Sequence, residues 1–201
     1  MNLPNSLTVS RIFLVPLLVV VLLTKFEGHR ILGISKEIVG AAIFGLASLT
    51  DWLDGYFARR RQQVTALGQV IDPFADKLLT SAALVSLVQM DLASAWMVVV
   101  IIGREFAVTG LRTLAYARGV VIAASPLGKI KMVAEVVAIL ALILAYNGGT
   151  DAESGSAPDY AWWLFRLGQA GLWVVLVSAL VSAADYFRRF GGMLNPGSGA
   201  N

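Results

Sequence analysis

The stretch "DWLDGYFARRRQQVTALGQVIDPFAD", residues 51–76, joins one apolar run, "IVGAAIFGLASLT", to another that opens with "LLTSAALV". Asp51 and Asp54 stand before a link carrying Arg59, Arg60 and Arg61, and Asp72 and Asp76 stand after it. An ionised carboxylate set in hydrocarbon without partners costs several kcal/mol. Four of them bordering apolar segments therefore demand partners, and the surrounding sequence must supply them.

The surroundings are those of a membrane protein. Hydrophobic residues make up 57% of the 201 residues and charged residues 14%, where an ordinary soluble domain is about a quarter charged. The chain has no cysteine, which excludes disulfides, thiolate metal sites and a cysteine nucleophile. A net charge of +3 is read as Lys and Arg held in cytoplasmic loops rather than as a nucleic-acid surface. "VPLLVVVLLT" is followed by Lys25, Glu27 and His29 with no small-residue cleavage site, so no cleavable signal is expected.

The charge-free runs are Ile12–Thr24, Ile38–Thr50, Leu78–Met90, Leu92–Gly103, Val136–Thr150 and Leu167–Ala184. None reaches the roughly 20 residues of a simple spanning helix. The placement of charge decides between short core helices and spans that carry charge at one end. Arg59, Arg60 and Arg61 lie between runs two and three, Arg112, Arg118, Lys129 and Lys131 around runs four and five, and Arg188 and Arg189 after run six. Gln89–Ala95 and Asn147–Tyr160 carry only acids. That alternation predicts six transmembrane helices with both termini cytoplasmic. The first external loop, with Lys25, Arg30 and Lys36, is the exception, partly offset by Glu27 and Glu37.

Every charge that shortens a run lies on the cytoplasmic side, including Arg104, Glu105 and Glu135. The expected fold is an all-α integral membrane protein of six helices, with a polar cavity open to the cytoplasm. The six-helix domain is expected over residues 1–190, with Pro4 breaking off an interfacial segment 1–6 and residues 191–201 forming a flexible tail. No internal repeat or second domain is visible.

Residues three, four or seven apart share a helix face, so Asp51, Asp54 and Ala58 form one face and Gly68, Asp72 and Asp76 another. The basic link is long enough to bring the two helix ends together. Four converging carboxylates cannot all ionise without cations. Oxygen donors with no histidine or cysteine nearby select Mg²⁺, Mn²⁺ or Ca²⁺ over zinc. Two divalent cations bridged by carboxylates suit phosphoryl transfer. Gly55, Ala58 and Gly68 would admit a flat nucleotide close to the backbone, although small residues also serve helix packing in membranes.

Residues 51–76 read D-x-x-D-G-x-x-A-R-x(8)-G-x(3)-D-x(3)-D, fixed at Asp51, Asp54, Gly55, Ala58, Arg59, Gly68, Asp72 and Asp76. This pattern resembles the signature of the CDP-alcohol phosphatidyltransferase family at all eight positions. The resemblance implies a six-helix homodimeric enzyme of the bilayer that takes CDP-diacylglycerol. It implies two Mg²⁺ or Mn²⁺ ions held by Asp51, Asp54, Asp72 and Asp76, with Asp76 as the base. It also implies a cytidine diphosphate site lined by Asp54, Gly55, Ala58, Arg59 and Gly68, with Asn5 and Thr8 from the first helix. "TDWLDGYFARR", "GQVIDPFADKLL", "GREFAVTGLR", "GKIKM" and "PNSLTVSRIFLVP" are similar to segments of the members that use glycerol 3-phosphate. Those members usually carry Thr and Gln where this chain has Met132 and Glu135. The expected location is the inner membrane of a bacterium.

The charges agree with a glycerol 3-phosphate acceptor, because a phosphomonoester needs cations beside the metal site. Arg104, Arg112, Lys129 and Lys131 are the candidates. Arg60, Arg61 and Arg118 read as anchors, and His29 sits in an external loop without a catalytic role. Inositol phosphate, serine or phosphatidylglycerol as acceptor is the alternative within the family. A cation or proton transporter is the alternative outside it, disfavoured because no inverted repeat or mid-span break appears.

Overall fold

A computed structural model describes the backbone over residues 3–24, 30–31, 33–61, 66–117, 126–146 and 159–190. It describes side chains over residues 13–24, 31, 33–50, 77–110, 131–146 and 160–182. Among the described residues there are six helices: α1 (Leu3–Leu23), α2 (Lys36–Arg61), α3 (Ala66–Gln89), α4 (Ala95–Ala117), α5 (Pro126–Ala145) and α6 (Asp159–Phe190). They confirm the all-α class. Two-residue strands, β1 (Arg30–Ile31) and β2 (Ile34–Ser35), pair antiparallel between α1 and α2. Gly33, with φ 83°, supplies the left-handed residue their tight turn requires. The sequence reading had only a loop there.

The helices are longer than the charge-free runs. α2 continues ten residues past Asp51 to Arg61, and α4 continues past Glu105 to Ala117. Charge interrupts a hydropathy count, but it does not break a helix. Arg104 and Glu105 consequently sit near the middle of α4, not at its inner end. Pro4 does not break the chain either. It lies in the first turn of α1, where its missing N–H has no helical partner to lose. Loop 148–158, His29 and tail 191–201 lie outside the described residues.

α5 and α6 form the tightest pair; α1 packs on α2 and α3, and α4 on α3 and α6. Leu18, Phe44, Leu84, Ile101, Ile139 and Leu172, one from each helix, are fully buried. The α5–α6 seam depends on absent side chains. A methyl group at Gly171 would come 2.7 Å from Ala138 Cβ, and one at Gly168 only 2.5 Å from Leu142 Cγ. The reading of small residues as close-packing sites fits this seam.

The α3–α4 connection is also closely specified. Leu92 N–H donates to Leu87 O at 2.9 Å and Asp91 N–H to Val88 O at 3.0 Å, with Asp91 at φ 58°. This is a Schellman end to α3, sealed by the buried pair Leu87 and Leu92. Ser94 then caps α4, its carbonyl accepting from Val98 N–H at 3.2 Å. Gln169 of α6 donates to Leu92 O at 2.6 Å and ties the turn to the bundle.

Among the described residues every helix shows large apolar side chains on its outer surface. Phe13, Leu46, Val85, Val99, Val133 and Trp163, one from each helix, are all more than half exposed. Among the described residues one stretch, Tyr160–Ser182 of α6, is long and apolar enough by itself to cross a membrane.

Candidate active site

Both aspartate pairs lie on continuous helix. Asp51, Asp54, Gly55, Ala58 and Arg59 are in the last half of α2, and Gly68, Asp72 and Asp76 in the first half of α3. Helical geometry at these positions keeps the three-, four- and seven-residue spacings on common faces. Only residues 62–65 separate the two helices, so the chain holds Arg61 and Ala66 within roughly 18 Å of each other. The side chains of these eight residues, and of Asn5 and Thr8 in α1, lie outside the described residues. Among the described residues no group of three or more His, Cys, Asp or Glu could hold a metal ion. The four aspartates are a donor set of hard oxygens, which suits Mg²⁺ or Mn²⁺.

The described side chains resume one residue after Asp76, with Lys77, and there they open on a buried ionic cluster. Lys77 Nζ lies 2.9 Å from Glu105 Oε2. Arg104 Nη1 donates to Glu105 Oε1 at 2.7 Å. Lys131 Nζ pairs with the same Oε1. Arg104 reaches further, its Nη2 donating to Ser182 Oγ. Glu135, one turn beyond Lys131 on the same face of α5, is buried and interacts electrostatically with it. One carboxylate on α4 thus receives cations from α3, α4 and α5, and Ser182 brings in α6.

Such a cluster is costly unless each charge finds partners, because desolvation of ions in a low-dielectric interior exceeds what a single pair returns. Glu105 takes three cations on two oxygens, within the roughly four acceptor sites of a carboxylate. Three cations, Lys77, Arg104 and Lys131, thus converge on one carboxylate.

Of the expected acceptor residues, Arg104 and Lys131 are brought together through Glu105. Arg112 lies in α4 and Lys129 in α5, with their side chains outside the described residues. Sequence reasoning missed Lys77 and the role of Glu105. A signal was present, since charges inside apolar segments mark function by default. What could not be read was their pairing, because 28 residues separate Lys77 from Glu105.

The family model for CDP-alcohol phosphatidyltransferase matches residues 1–182. The chain is similar, at 45% identity over 194 residues, to the CDP-diacylglycerol–glycerol-3-phosphate 3-phosphatidyltransferase of Bacillus subtilis (strain 168), with 94% of each chain covered. It is 33% identical over 187 residues to the protein of the same name from Rickettsia felis, covering 93% of this chain and 94% of that one.

Proposed function

The chain belongs to the CDP-alcohol phosphatidyltransferase family, and from that membership we infer its reaction. It is a CDP-diacylglycerol–glycerol-3-phosphate 3-phosphatidyltransferase. The phosphatidyl group of CDP-diacylglycerol passes to glycerol 3-phosphate, giving phosphatidylglycerophosphate and CMP. The similarity to the Bacillus subtilis enzyme over 94% of the chain carries this reading.

The roles of individual residues are our proposal. Asp51, Asp54, Asp72 and Asp76 would hold two divalent cations, Mg²⁺ or Mn²⁺. Those ions supply positive charge against the diphosphate and the departing CMP. Asp76 takes the proton from the 1-hydroxyl of glycerol 3-phosphate as its oxygen attacks the β-phosphorus. The bond from that phosphorus to the bridging oxygen breaks, and CMP leaves. Gly55, Ala58 and Gly68 leave room for the cytidine, while Asn5, Thr8, Asp54 and Arg59 orient the cytidine diphosphate. Arg104, Arg112, Lys129 and Lys131 receive the acceptor's phosphate, a reading supported by the convergence of Lys77, Arg104 and Lys131 on Glu105.

The membrane arrangement is proposed on the same footing. The six helices cross the bilayer, with the aspartate ends of α2 and α3 toward the cytoplasm. Support comes from the exposed apolar residues on every helix and from helix lengths of 20–32 residues, or about 30–48 Å, against a hydrocarbon core of about 30 Å. Exposed Trp162 and Trp163 at the other end of α6 suit the opposite interface. The homodimer is carried over from the family, and the protein's mass in nanodiscs reads it. Because the chain has no cysteine, Gln62→Cys and Ser154→Cys report sidedness directly. Gln62→Cys should react only with a reagent on the cytoplasmic side and Ser154→Cys only from outside. The reverse pattern would overturn the topology.

Glu135 favours keeping a second acceptor in view. It is buried beside Lys131, where the glycerol 3-phosphate enzymes usually carry a neutral residue, and it subtracts charge from the phosphate site. The test is CMP release by the purified protein with CDP-diacylglycerol, Mg²⁺ or Mn²⁺ and a panel of acceptors. Glycerol 3-phosphate should exceed inositol phosphate, serine and phosphatidylglycerol. A preference for any of the other three would refute the assigned acceptor.

A further inference from the structure

We propose that Glu105 is the positioning residue of the acceptor site, gathering Lys77, Arg104 and Lys131 so that these cations meet the acceptor's phosphate. The inference rests on the phosphatidyltransferase reading above and adds to it a residue that contacts neither substrate.

The geometry carries it. Glu105 is buried at mid-helix in α4, and both its oxygens are engaged. Its Oε2 holds Lys77, which is covalently next to Asp76 on α3. Its Oε1 holds Arg104 and Lys131, the second of these from α5. One carboxylate therefore links the helix that carries the base to residues assigned to the acceptor's phosphate. The Lys and Arg stems are long and rotatable, and an unanchored ammonium or guanidinium samples many positions. Anchored on Glu105, the cations are held in place before substrate arrives, and preorganised charge outperforms charge that must be ordered on binding. Ser182 fixes the second arm of Arg104 from α6.

A negative charge beside a phosphate site repels the ligand by itself, and that tension makes the idea testable by sign. If Glu105 acted only through its charge, its neutralisation would raise the local positive charge by one and lower the KM for glycerol 3-phosphate. If Glu105 positions the cations, neutralisation scatters them, and Lys77 and Lys131 repel one another. KM should then rise.

The experiment uses the full-length protein in nanodiscs with CMP release as readout. Glu105→Gln should raise the glycerol 3-phosphate KM by about tenfold or more, the range expected for a lost charge-assisted contact. The KM for CDP-diacylglycerol should stay within about twofold, the split that marks loss of acceptor positioning rather than general damage. Glu105→Asp, which keeps the charge one methylene short, should recover part of the loss. A glycerol 3-phosphate KM that falls or stays unchanged overturns the proposal, as does a parallel rise for both substrates. Should Glu105→Gln not fold, Ser182→Ala serves in its place. It leaves all charges intact and should raise the acceptor KM alone by about threefold, a modest neutral contact's worth. No selective rise there overturns the proposal. Unmodified protein that releases no CMP with glycerol 3-phosphate would refute the underlying reading, and the inference with it. Unmodified protein that is active beside an unaltered Glu105→Gln would refute the inference alone.

Discussion

Asp72→Asn and Asp76→Asn are each expected to reduce CMP release by about a hundred- to a thousand-fold, the scale on which removal of one preorganised charge-stabilising group acts. Asparagine matches aspartate in shape but cannot carry the negative charge that offsets two divalent cations. On the proposed arrangement the substitution lowers cation affinity and, at residue 76, also removes the base. The two variants should differ in one respect. Raised Mg²⁺ or Mn²⁺ should recover some turnover for Asp72→Asn, whose defect is in holding the ion, and very little for Asp76→Asn. EDTA should silence the parent protein, and restored metal should revive it. Turnover within a few-fold of the parent for either variant would refute the two-cation arrangement.

Arg104→Ala and Lys129→Ala carry the next largest expected effects, selective for the acceptor. Loss of a charge-assisted contact to phosphate is worth about 1.5–3 kcal/mol, or roughly ten- to 150-fold in kcat/KM for glycerol 3-phosphate. Free glycerol lacks the phosphate, so it should be a poor acceptor and nearly indifferent to either change. Arg104→Ala should have the larger consequence. Its guanidinium is bonded to Glu105 and Ser182, so its removal also loosens the anchor shared with Lys77 and Lys131. Equal losses with glycerol and glycerol 3-phosphate would place both residues outside the phosphate site.

Legibility in the sequence followed distance along the chain. The eight signature positions fall within residues 51–76, and two helical faces joined by a short link are predictable from spacing alone. The six helices were legible for a similar reason, since each contains its own apolar run. Their lengths were not, because the runs stop at Asp51, Arg104 and Glu135 while the helices continue. The hairpin at Arg30–Ser35 was missed because two paired residues on each side produce no periodic signal. The ionic cluster was hidden for a different reason. Its members come from four helices, and no local pattern reveals that Arg104 and Lys131 share one oxygen of Glu105. Composition showed that charges must be partnered; only packing showed with whom.

The Schellman turn at Asp91 has a consequence for how the protein tolerates changes in length. Lys77 stands fourteen residues before Asp91 and Glu105 fourteen after it. Lys77 lies twelve residues before the end of α3 at Gln89 and Glu105 ten after the start of α4 at Ala95, about 18 and 15 Å of helical rise. Two arms of similar length, folded at one bend, bring Lys77 and Glu105 to the same level, where they meet at 2.9 Å. One residue gained or lost in Gln89–Ala95 would slide α4 by about 1.5 Å and swing it by about 100°, carrying Glu105 away from its partner. Surface connections ordinarily absorb insertions. Here the short connection Gln89–Ala95 is under a length constraint set by an ion pair far down the two helices it joins, whereas the α5–α6 seam sets its own register through Gly168 and Gly171.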